Sequence, residues 1–279
     1  MATATPNSTV TAIRPNDRSA ASGLRELRRY RELLLFLIWR DFKIRYKQTA
    51  LGALWAIAQP VGLMAILALV LGRVQGLANG PAPYPVFVLA ALVPWSLFSQ
   101  GLLRSADSIV NAGSLLQKVY FPRLLLPLAA IGVQLIDYLF ALGAMVVILV
   151  LFGVVPGFTA FWLIPLSALA AASALAFGLW LSAANVRFRD VRAALPFVVQ
   201  LWLFASPVAY ATSLVPAGAR LLYELNPMVG VIDGFRWALF DDGPAPVEAV
   251  VISILVNSVV AVSGLIFFGR AEQDFVDVI

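Results

Sequence analysis

The residue types that carry most enzyme chemistry are missing from this chain or are isolated in it. The 279 residues include no Cys and no His, which excludes thiol nucleophiles, disulfides, Cys/His metal sites and imidazole acid–base catalysis. None of the three lysines, Lys43, Lys47 and Lys118, precedes a Ser or Thr, so the chain lacks the P-loop that binds ATP phosphates. We therefore expect no catalytic residue, no metal site and no cofactor in this polypeptide.

The acidic residues leave one enzymatic alternative open. An integral-membrane enzyme acting on lipid-linked sugars would use the acids near the outer half of the protein, which are Asp137, Glu224, Asp233, Asp241 and Asp242. The adjacent pair Asp241-Asp242 precedes Gly-Pro, and this pattern is typical of a turn. Divalent-metal-dependent turnover of a lipid phosphate by this chain alone would favour the enzyme.

Asp137 is the one ionisable residue deep inside a predicted membrane span. Such groups are costly in lipid and are usually paired or functional. A proton-coupled transporter would use Asp137 as a relay, but the chain offers neither a second ion site nor detectable inverted repeats. We expect instead a structural hydrogen bond to another helix, with Gln134 and Gln200 as candidate partners.

The composition places the chain in a membrane. Apolar residues make up 61% of the sequence and charged residues 13%, with a mean hydropathy of +0.88, whereas soluble domains have about 45–50% and about 25%. Five stretches of 21 to 49 residues carry no charge, and a spanning helix needs about 20 apolar residues. The longest stretch contains a turn signal at 153–157 and is divided in two. The predicted fold is an all-α integral membrane protein, and residues 48–279 form its transmembrane domain with six spans at about 50–72, 85–105, 124–152, 159–183, 194–211 and 247–268.

The positive charges predict the orientation of these spans. With the N-terminus in the cytoplasm, 17 of the 20 Lys and Arg residues lie on the cytoplasmic side, and only Arg73, Arg220 and Arg236 lie outside. Because positively charged loops stay cytoplasmic, we expect the N-terminus there, and the even number of six spans places the C-terminus on the same side. This topology explains the basic composition, so no nucleic-acid partner is expected.

The region before the first span has two parts. Residues 1–23 lack an apolar core and are predicted to form a disordered cytoplasmic tail. Residues 24–47 place apolar residues such as Leu34 and Ile38 on one side of a helix and basic residues such as Arg40 on another,. This pattern is typical of an amphipathic helix at the inner membrane interface, acting either as an anchor in membrane lipids or as a docking element for a partner.

Short motifs occur along most of the chain. They are WRDFKIRYKQT at 39–49, LGALW at 51–55, QP at 59–60, LVPW at 92–95, KVYFPR at 118–123, NVRFRDV at 185–191, PF at 196–197, SP at 206–207, LNP at 225–227, GFR at 234–236 and FVDVI at 275–279. In this order they resemble the type-2 ABC exporter permeases that move polysaccharides. The resemblance covers about residues 24–279.

The resemblance implies partners for the chain. It implies a homodimer in the bacterial inner membrane, worked by two copies of a separate cytoplasmic ATP-binding subunit that binds ATP and Mg. It also implies a lipid-linked glycan as cargo, of the O-antigen, capsule or teichoic acid type. A bundle without a nucleotide site agrees with this, because its energy must come from another subunit.

The loop at 105–123 is the predicted contact with that ATPase. It is more apolar than a solvated loop should be, and Ser114 is predicted to cap a short helix in it. The family implies a coupling helix here; the alternative is packing against the chain's own bundle. The predicted coupling residues, including those of a second inner loop, are Leu116, Lys118, Val119, Tyr120, Phe121, Arg123, Arg187, Arg189 and Asp190. Replacing Tyr120 and Phe121 by Asp is predicted to leave folding intact and to uncouple ATP hydrolysis from export.

The cargo sets requirements for the pathway. A sugar hydroxyl without a partner in hydrocarbon costs about 4–8 kcal/mol, so a glycan needs a lined conduit, and aromatic faces suit a sliding sugar chain. Because the first and fifth spans line the pathway in the family, the candidate pathway residues are Trp55, Phe197, Trp202, Phe204 and Tyr210. Packing between helices is the alternative for each of them.

Residues 212–246 are the least lipid-like outer segment, because charges and turn signals divide them into short pieces,. They are predicted to form a short reentrant helix pair on the outer side, and a plain external loop is the alternative. The predicted outer gate residues are Asn226, Pro227, Gly234, Phe235 and Arg236.

Overall fold

The protein is a bundle of α-helices. The computed structural model describes residues 29–47, 52, 54–74, 82–119, 121–188 and 190–272. The predicted tail, the start of the predicted interface helix, Tyr120 and Arg189 lie outside the described residues. The helices are α1 (Arg31–Tyr46), α2 (Leu54–Leu71), α3 (Tyr84–Asn111), α4 (Gly113–Leu116), α5 (Leu125–Leu151), α6 (Leu163–Arg187), α7 (Asp190–Phe204), α8 (Ala217–Glu224), α9 (Pro227–Phe240) and α10 (Val247–Ala271), with 3-10 turns at Phe158–Trp162 and Thr212–Leu214.

Five of these helices are long and apolar enough to cross a membrane. They are Leu54–Leu71, Tyr84–Asn111, Leu125–Leu151, Phe158–Arg187, which includes the 3-10 turn before α6, and Val247–Ala271. The predictions of an all-helical fold and of several membrane crossings are therefore confirmed. We call the end of the bundle where α3 ends and α5 begins the inner end, and the opposite end the outer end.

Helix α3 is the centre of the bundle. Residues 84–95, at its outer end, are all apolar or aromatic, and a helix that is apolar on all sides is stable only when other helices cover it. Helices α2, α5, α6 and α9 provide that cover, and the side chains of Leu97 and Phe98 are fully buried. The core of the molecule therefore lies around α3.

The fifth predicted span, 194–211, differs from the structure. Helix α7 has 15 residues and ends at Phe204, and its rise of about 1.5 Å per residue gives a length short of the roughly 30 Å of hydrocarbon. The cause is local, because the residue before a proline disfavours the helical conformation, and Ser206 precedes Pro207. The chain turns at 205–208 instead of continuing the helix.

After α7 the chain runs to the outer end, α8 runs back toward the inner end, and α9 runs outward again. Asn226, at the start of α9, donates from its amide to Ser206 Oγ at 2.9 Å, near the end of α7. Arg236, ten residues later, reaches the carbonyls of Val208 and Tyr210. Helix α9 thus follows the direction of the segment after α7, and the short α8 brings the chain back between them.

Helix α9 is tightly seated. Apart from its partly buried Asp233, Trp237 and Phe240, its residues are buried, against α3, α6 and α10. A Cβ placed on Gly230 would lie 2.3 Å from the carbonyl oxygen of Ala249. Only glycine permits this approach of α9 to the backbone of α10.

Helix α1 packs on the protein with one face. Leu37 is 1% exposed and joins a cluster with Ile109, Leu125 and Phe268 at the inner end. The opposite face is also apolar, with Leu35, Phe36 and Trp39 more than half exposed. The helix therefore has apolar residues on two faces rather than on the single stripe that the sequence predicts, and one of these faces rests on α5.

Candidate functional site

A charged cluster joins α1, α3 and α5. The carboxylate of Asp137, on α5, is 4% exposed and lies 2.8 Å from Arg45 Nη1 and 3.1 Å from Arg104 Nη2. Tyr46 also donates its hydroxyl to Asp137. Burial, together with that hydrogen bond, raises the pKa of Tyr46 to about 12, so the phenol remains a donor at neutral pH.

The cluster corrects the predicted partners of Asp137. The sequence indicates no basic residue near it within the membrane and favours Gln134 or Gln200. Gln134 instead donates weakly, at 3.4 Å, to the carbonyl of Ser96. Arginines reach Asp137 because α1 packs along α5 and because Arg104 lies on the face of α3 that α5 covers.

Helix α3 carries a polar face at its inner half. Its polar residues recur every three or four positions and, at 100° per residue, fall within about 120° of arc. They are Ser96, Gln100, Arg104, Asp107, Ser108 and Asn111. This face was not predicted, because the uncharged stretches in the sequence end at Arg104 and separate 96–103 from the residues that follow; a helical wheel of 96–111 shows the face.

This face lines two neighbouring cavities. The upper one is small and lies beside Gln59, Gln100, Gln134 and Asp137. The lower one is a groove of about 620 Å³ between α1, α3 and α5 at the inner end. Arg45 and Arg104 line both cavities and so stand at their junction.

A second polar network lies at the inner end. Asn185, on α6, donates to Asp107 at 3.0 Å, and Arg192, on α7, lies 3.6 Å from the same carboxylate. Arg192 also donates to Asn111 at 3.4 Å. Asp107 therefore connects α3, just before α4, with the start of α7.

The predicted coupling segment is partly exposed. Helix α4 exists, but its cap is Ala112 without a side-chain hydrogen bond, and Ser114 lies inside the helix, so the predicted capping is wrong. Val119 is 53% exposed. Leu116 is half-buried, while Lys118, Arg187 and Asp190 are exposed. These residues make up the accessible surface of the predicted coupling region, at the inner end of the bundle.

Phe121 does not belong to that surface. It is 4% exposed and packs in the inner cluster with Leu37, Leu125 and Phe268. For Phe121 the alternative of packing against the chain's own bundle is correct, because α1 and α10 cover it. Arg123 is likewise engaged, since it donates to the backbone carbonyl of Glu272.

The predicted pathway aromatics divide into two groups. Trp55, Phe197 and Phe204 are each more than half exposed. Trp202 instead packs edge-on against Phe98 and Phe177, with ring centroids at 4.9 and 5.0 Å. Its indole N–H donates to Asn226 Oδ1 at 3.0 Å.

Tyr210 belongs to the outer network. Its hydroxyl donates to the carbonyl of Phe204 and accepts a hydrogen bond from Tyr223, both at 3.0 Å. Trp202 and Tyr210 thus make packing and hydrogen-bond contacts within the chain, whereas the side chains of the other three predicted pathway aromatics are exposed.

The predicted outer gate residues lie along α9 and at its N-cap, and Arg236 connects this helix to its neighbours. This side chain is 7% exposed, and its guanidinium lies 3.5 Å from the ring centroid of Phe87. It donates to the carbonyls of Val208 at 3.0 Å, Tyr210 at 3.3 Å and Phe87 at 3.4 Å. Asp233 lies 3.9 Å away. Arg236 thus fastens the segment after α7 to α3.

The remaining gate residues support this arrangement. Asn226 caps α9 by accepting from Met228 N at 3.1 Å, and Pro227 occupies the first position of the helix. Phe235 is fully buried. Gly234 lies against Leu166 of α6, where a Cβ would meet the side chain at 2.7 Å.

The fold and these clusters define a helical multi-pass membrane protein with a polar groove at one end. A family model described as ABC-2 type transporter matches residues 32–240. The chain belongs to this ABC-2 type transporter family.

Known proteins are similar along most of the chain. It is 31% identical over 260 residues, or 90% of its length and 96% of the relative's, to the O-antigen export system permease protein RfbA of Myxococcus xanthus. An RfbA of Klebsiella pneumoniae is 27% identical over 250 residues, covering 89% of this chain and 95% of the relative. The polysialic acid transport protein KpsM of Escherichia coli is 36% identical over 73 residues, which are 26% of this chain and 28% of KpsM.

Proposed function

We propose that this chain is the transmembrane permease subunit of an ABC exporter that moves a lipid-linked polysaccharide from the cytoplasm across the bacterial inner membrane. A separate cytoplasmic subunit binds ATP and Mg and drives it. The observation that carries the proposal is the similarity to RfbA from Myxococcus xanthus, which extends over 90% of the chain.

The topology of the proposed permease has six crossings. Helix α7 and the segment that Arg236 fastens make the fifth crossing together, because α10 must begin at the outer end if both termini are cytoplasmic. Helices α8 and α9 form the reentrant pair. The hydrogen bonds of Asn226 and Arg236 support this assignment, since they place α9 alongside the rising segment.

The working assembly is a homodimer with two ATP-binding subunits. Single protomers leave broad apolar faces on α2 and α7, including Trp55, Phe197 and Phe204. We propose that these faces meet across the dimer and line the conduit. The surface around α4, with Val119 and Lys118, receives the ATP-binding subunit, and Asp107 transmits its movement to α7 through Arg192.

The proposal is tested by reconstitution. The tagged chain is co-expressed with the ATP-binding subunit of the proposed exporter, purified and placed in proteoliposomes. We expect co-purification of the two subunits and ATP-dependent movement of a lipid-linked glycan across the bilayer. Turnover of the lipid phosphate by this chain alone, without the ATP-binding subunit, would contradict the exporter proposal and favour the membrane enzyme.

The proposed coupling surface predicts that replacing Val119 lowers export, whereas replacing Phe121 lowers stability. Val119→Asp adds a charge at an exposed position, so the stability should stay within about 0.5 kcal/mol of the parent, while ATP-dependent export falls. Phe121→Asp removes a buried ring and places a carboxyl among apolar side chains, and should cost about 3–5 kcal/mol. Thermal midpoints and export rates measured side by side test this, and equal export by the Val119→Asp variant and the parent would argue against the surface.

The proposed pathway likewise predicts that replacing exposed aromatic residues lowers export, whereas replacing a packed one lowers stability. The double change Phe197→Ala and Phe204→Ala removes exposed rings, so the midpoint of unfolding should hold while glycan export slows. Trp202→Ala leaves a gap between Phe98 and Phe177 and should cost about 2 kcal/mol, less than a fully buried Trp because the ring is only partly buried. Normal export by the double variant would remove both rings from the conduit.

We do not propose the enzymatic alternative. Three of its five acids are in ion pairs: Asp137 with two arginines, Asp233 with Arg236, and Glu224 with Arg220 at 3.1 Å. The other two, Asp241 and Asp242, lie in the bend between α9 and α10. Asp241 adopts a left-handed conformation there, which is common where a turn ends a helix.

A further inference from the structure

The charged cluster contains more positive than negative charge. Asp137 faces two guanidinium groups, and its carboxylate can balance only one of them. The other acids along the groove have their own basic partners, since Asp41 pairs with Arg40 at 2.8 Å and Asp107 lies near Arg192. Within the described part of the chain, Arg104 pairs with no acid other than Asp137. One positive charge therefore remains at the junction of the two cavities.

The surroundings of this charge suit a polar ligand. Above it, Gln59, Gln100 and Gln134 line the small cavity, and the buried Gln134 Oε1 has no hydrogen-bond partner in the structure. Buried polar atoms without partners are costly, so this oxygen is an unused acceptor for a hydroxyl or water. Below it, Ser108 and Asn111 add hydroxyl and amide groups along the groove.

The groove has the size and position of an entry site. Its volume of about 620 Å³ lies within the roughly 300–1,000 Å³ of small-ligand sites. Helix α1 forms one wall, and the outer face of α1 is apolar, with Leu35, Phe36 and Trp39 exposed. A ligand with a polar head and a lipid tail can therefore place its head in the groove while its tail remains in the bilayer.

We propose that Arg45 and Arg104 bind the phosphate groups of a lipid-linked ligand at the inner end of the bundle. Arginine suits this role because its planar donors match phosphate oxygens in pairs. Asp137 holds both guanidinium groups in place and leaves one charge for the ligand. The proposal rests on the proposed function in one respect, since the ligand enters as the substrate that is exported.

The proposal is tested by binding to the full permease with its ATP-binding subunits, in nanodiscs of phosphatidylcholine. Three probes separate the parts of the ligand: farnesyl pyrophosphate, farnesol without phosphate, and inorganic pyrophosphate without a tail. We expect the parent to bind farnesyl pyrophosphate more tightly than either other probe. Equal binding of inorganic pyrophosphate would assign the site to a soluble phosphate and overturn the lipid-linked ligand.

The variants Arg104→Gln and Arg104→Lys identify the residue. Arg104→Gln leaves Asp137 paired with Arg45 and Tyr46, so the fold is retained, which an unchanged thermal midpoint checks. Its affinity for farnesyl pyrophosphate should fall at least about tenfold, because a hydrogen bond to a charged group is lost. Arg104→Lys should show an intermediate loss for the same probe. Neither variant should change the affinity for farnesol. Arg220→Gln, at the outer end, is the matched control and should bind all three probes as the parent does.

Two results would overturn the site. One is unchanged binding of farnesyl pyrophosphate by Arg104→Gln, and the other is an equal loss in Arg220→Gln. Because binding is measured without ATP, a parent that binds the probe but exports no glycan would contradict the proposed function and leave the phosphate site standing.

Discussion

Replacing Asp137 by Asn should destabilise the protein by about 3–5 kcal/mol, the cost of removing one partner of a buried ion pair. The change leaves Arg45 and Arg104 next to each other without a countercharge, and it weakens the hydrogen bond from Tyr46. Because Arg45 and Tyr46 connect α1 to Asp137 on α5, we expect α1 to detach. Denaturant midpoints in detergent, combined with protease accessibility of α1, measure both effects.

Two further variants make this expectation specific. Asp242→Asn makes the same chemical change at an exposed position and should alter stability by less than about 0.5 kcal/mol. The double variant Asp137→Asn with Arg104→Gln removes the surplus guanidinium together with the acid and should recover part of the loss. A parent-like midpoint for Asp137→Asn alone would show that the cluster contributes no stability.

Replacing Arg236 by Ala should have an effect of similar size at the outer end, about 3–5 kcal/mol. The change removes donors from the carbonyls of Val208, Tyr210 and Phe87 and the guanidinium from the face of the Phe87 ring. Buried carbonyls that lose their donors carry the full desolvation penalty. The segment after α7 should then loosen, and hydrogen exchange at 208–211 should become faster.

Lysine is the informative replacement at the same position. Arg236→Lys keeps a charge but has a single ammonium group, which cannot reach three carbonyls from one plane, so an intermediate loss is expected. Arg220→Ala is the control, because its side chain is 59% exposed and pairs with Glu224 one turn away, a contact worth about 0.3–0.5 kcal/mol. Equal midpoints for Arg236→Ala and Arg220→Ala would contradict the role of Arg236.

The long helices were predictable from the sequence because their signal is local. An uncharged apolar stretch of about 20 residues has few alternatives to a spanning helix, and five described helices meet this criterion. The fifth predicted span, 194–211, is a continuous helix only through Phe204. Its sequence is apolar enough through residue 211, and the turn after Phe204 depends on Pro207 and on the contacts of Arg236, which hydropathy does not register.

The contacts of the candidate site were not predictable in the same way. Asp137 and Tyr46 are 91 positions apart, and nothing near either residue indicates that α1 packs on α5. Phe121 is an apolar residue in a predicted loop, and the sequence alone does not distinguish a partner surface from cover by the chain's own α1 and α10. The motifs locate both regions, but the packing decides which side chains remain accessible.

The tie between α1 and α5 also has a consequence for biosynthesis. Asp137 leaves the ribosome 91 residues after Tyr46, a delay of about 5–20 s at about 5–20 residues per second. During this interval Arg45 lacks the carboxylate that it contacts in the folded protein, and α1 cannot yet pack on α5. Among the described helices, α1 is thus the first to be translated and one of the later ones to reach its final place.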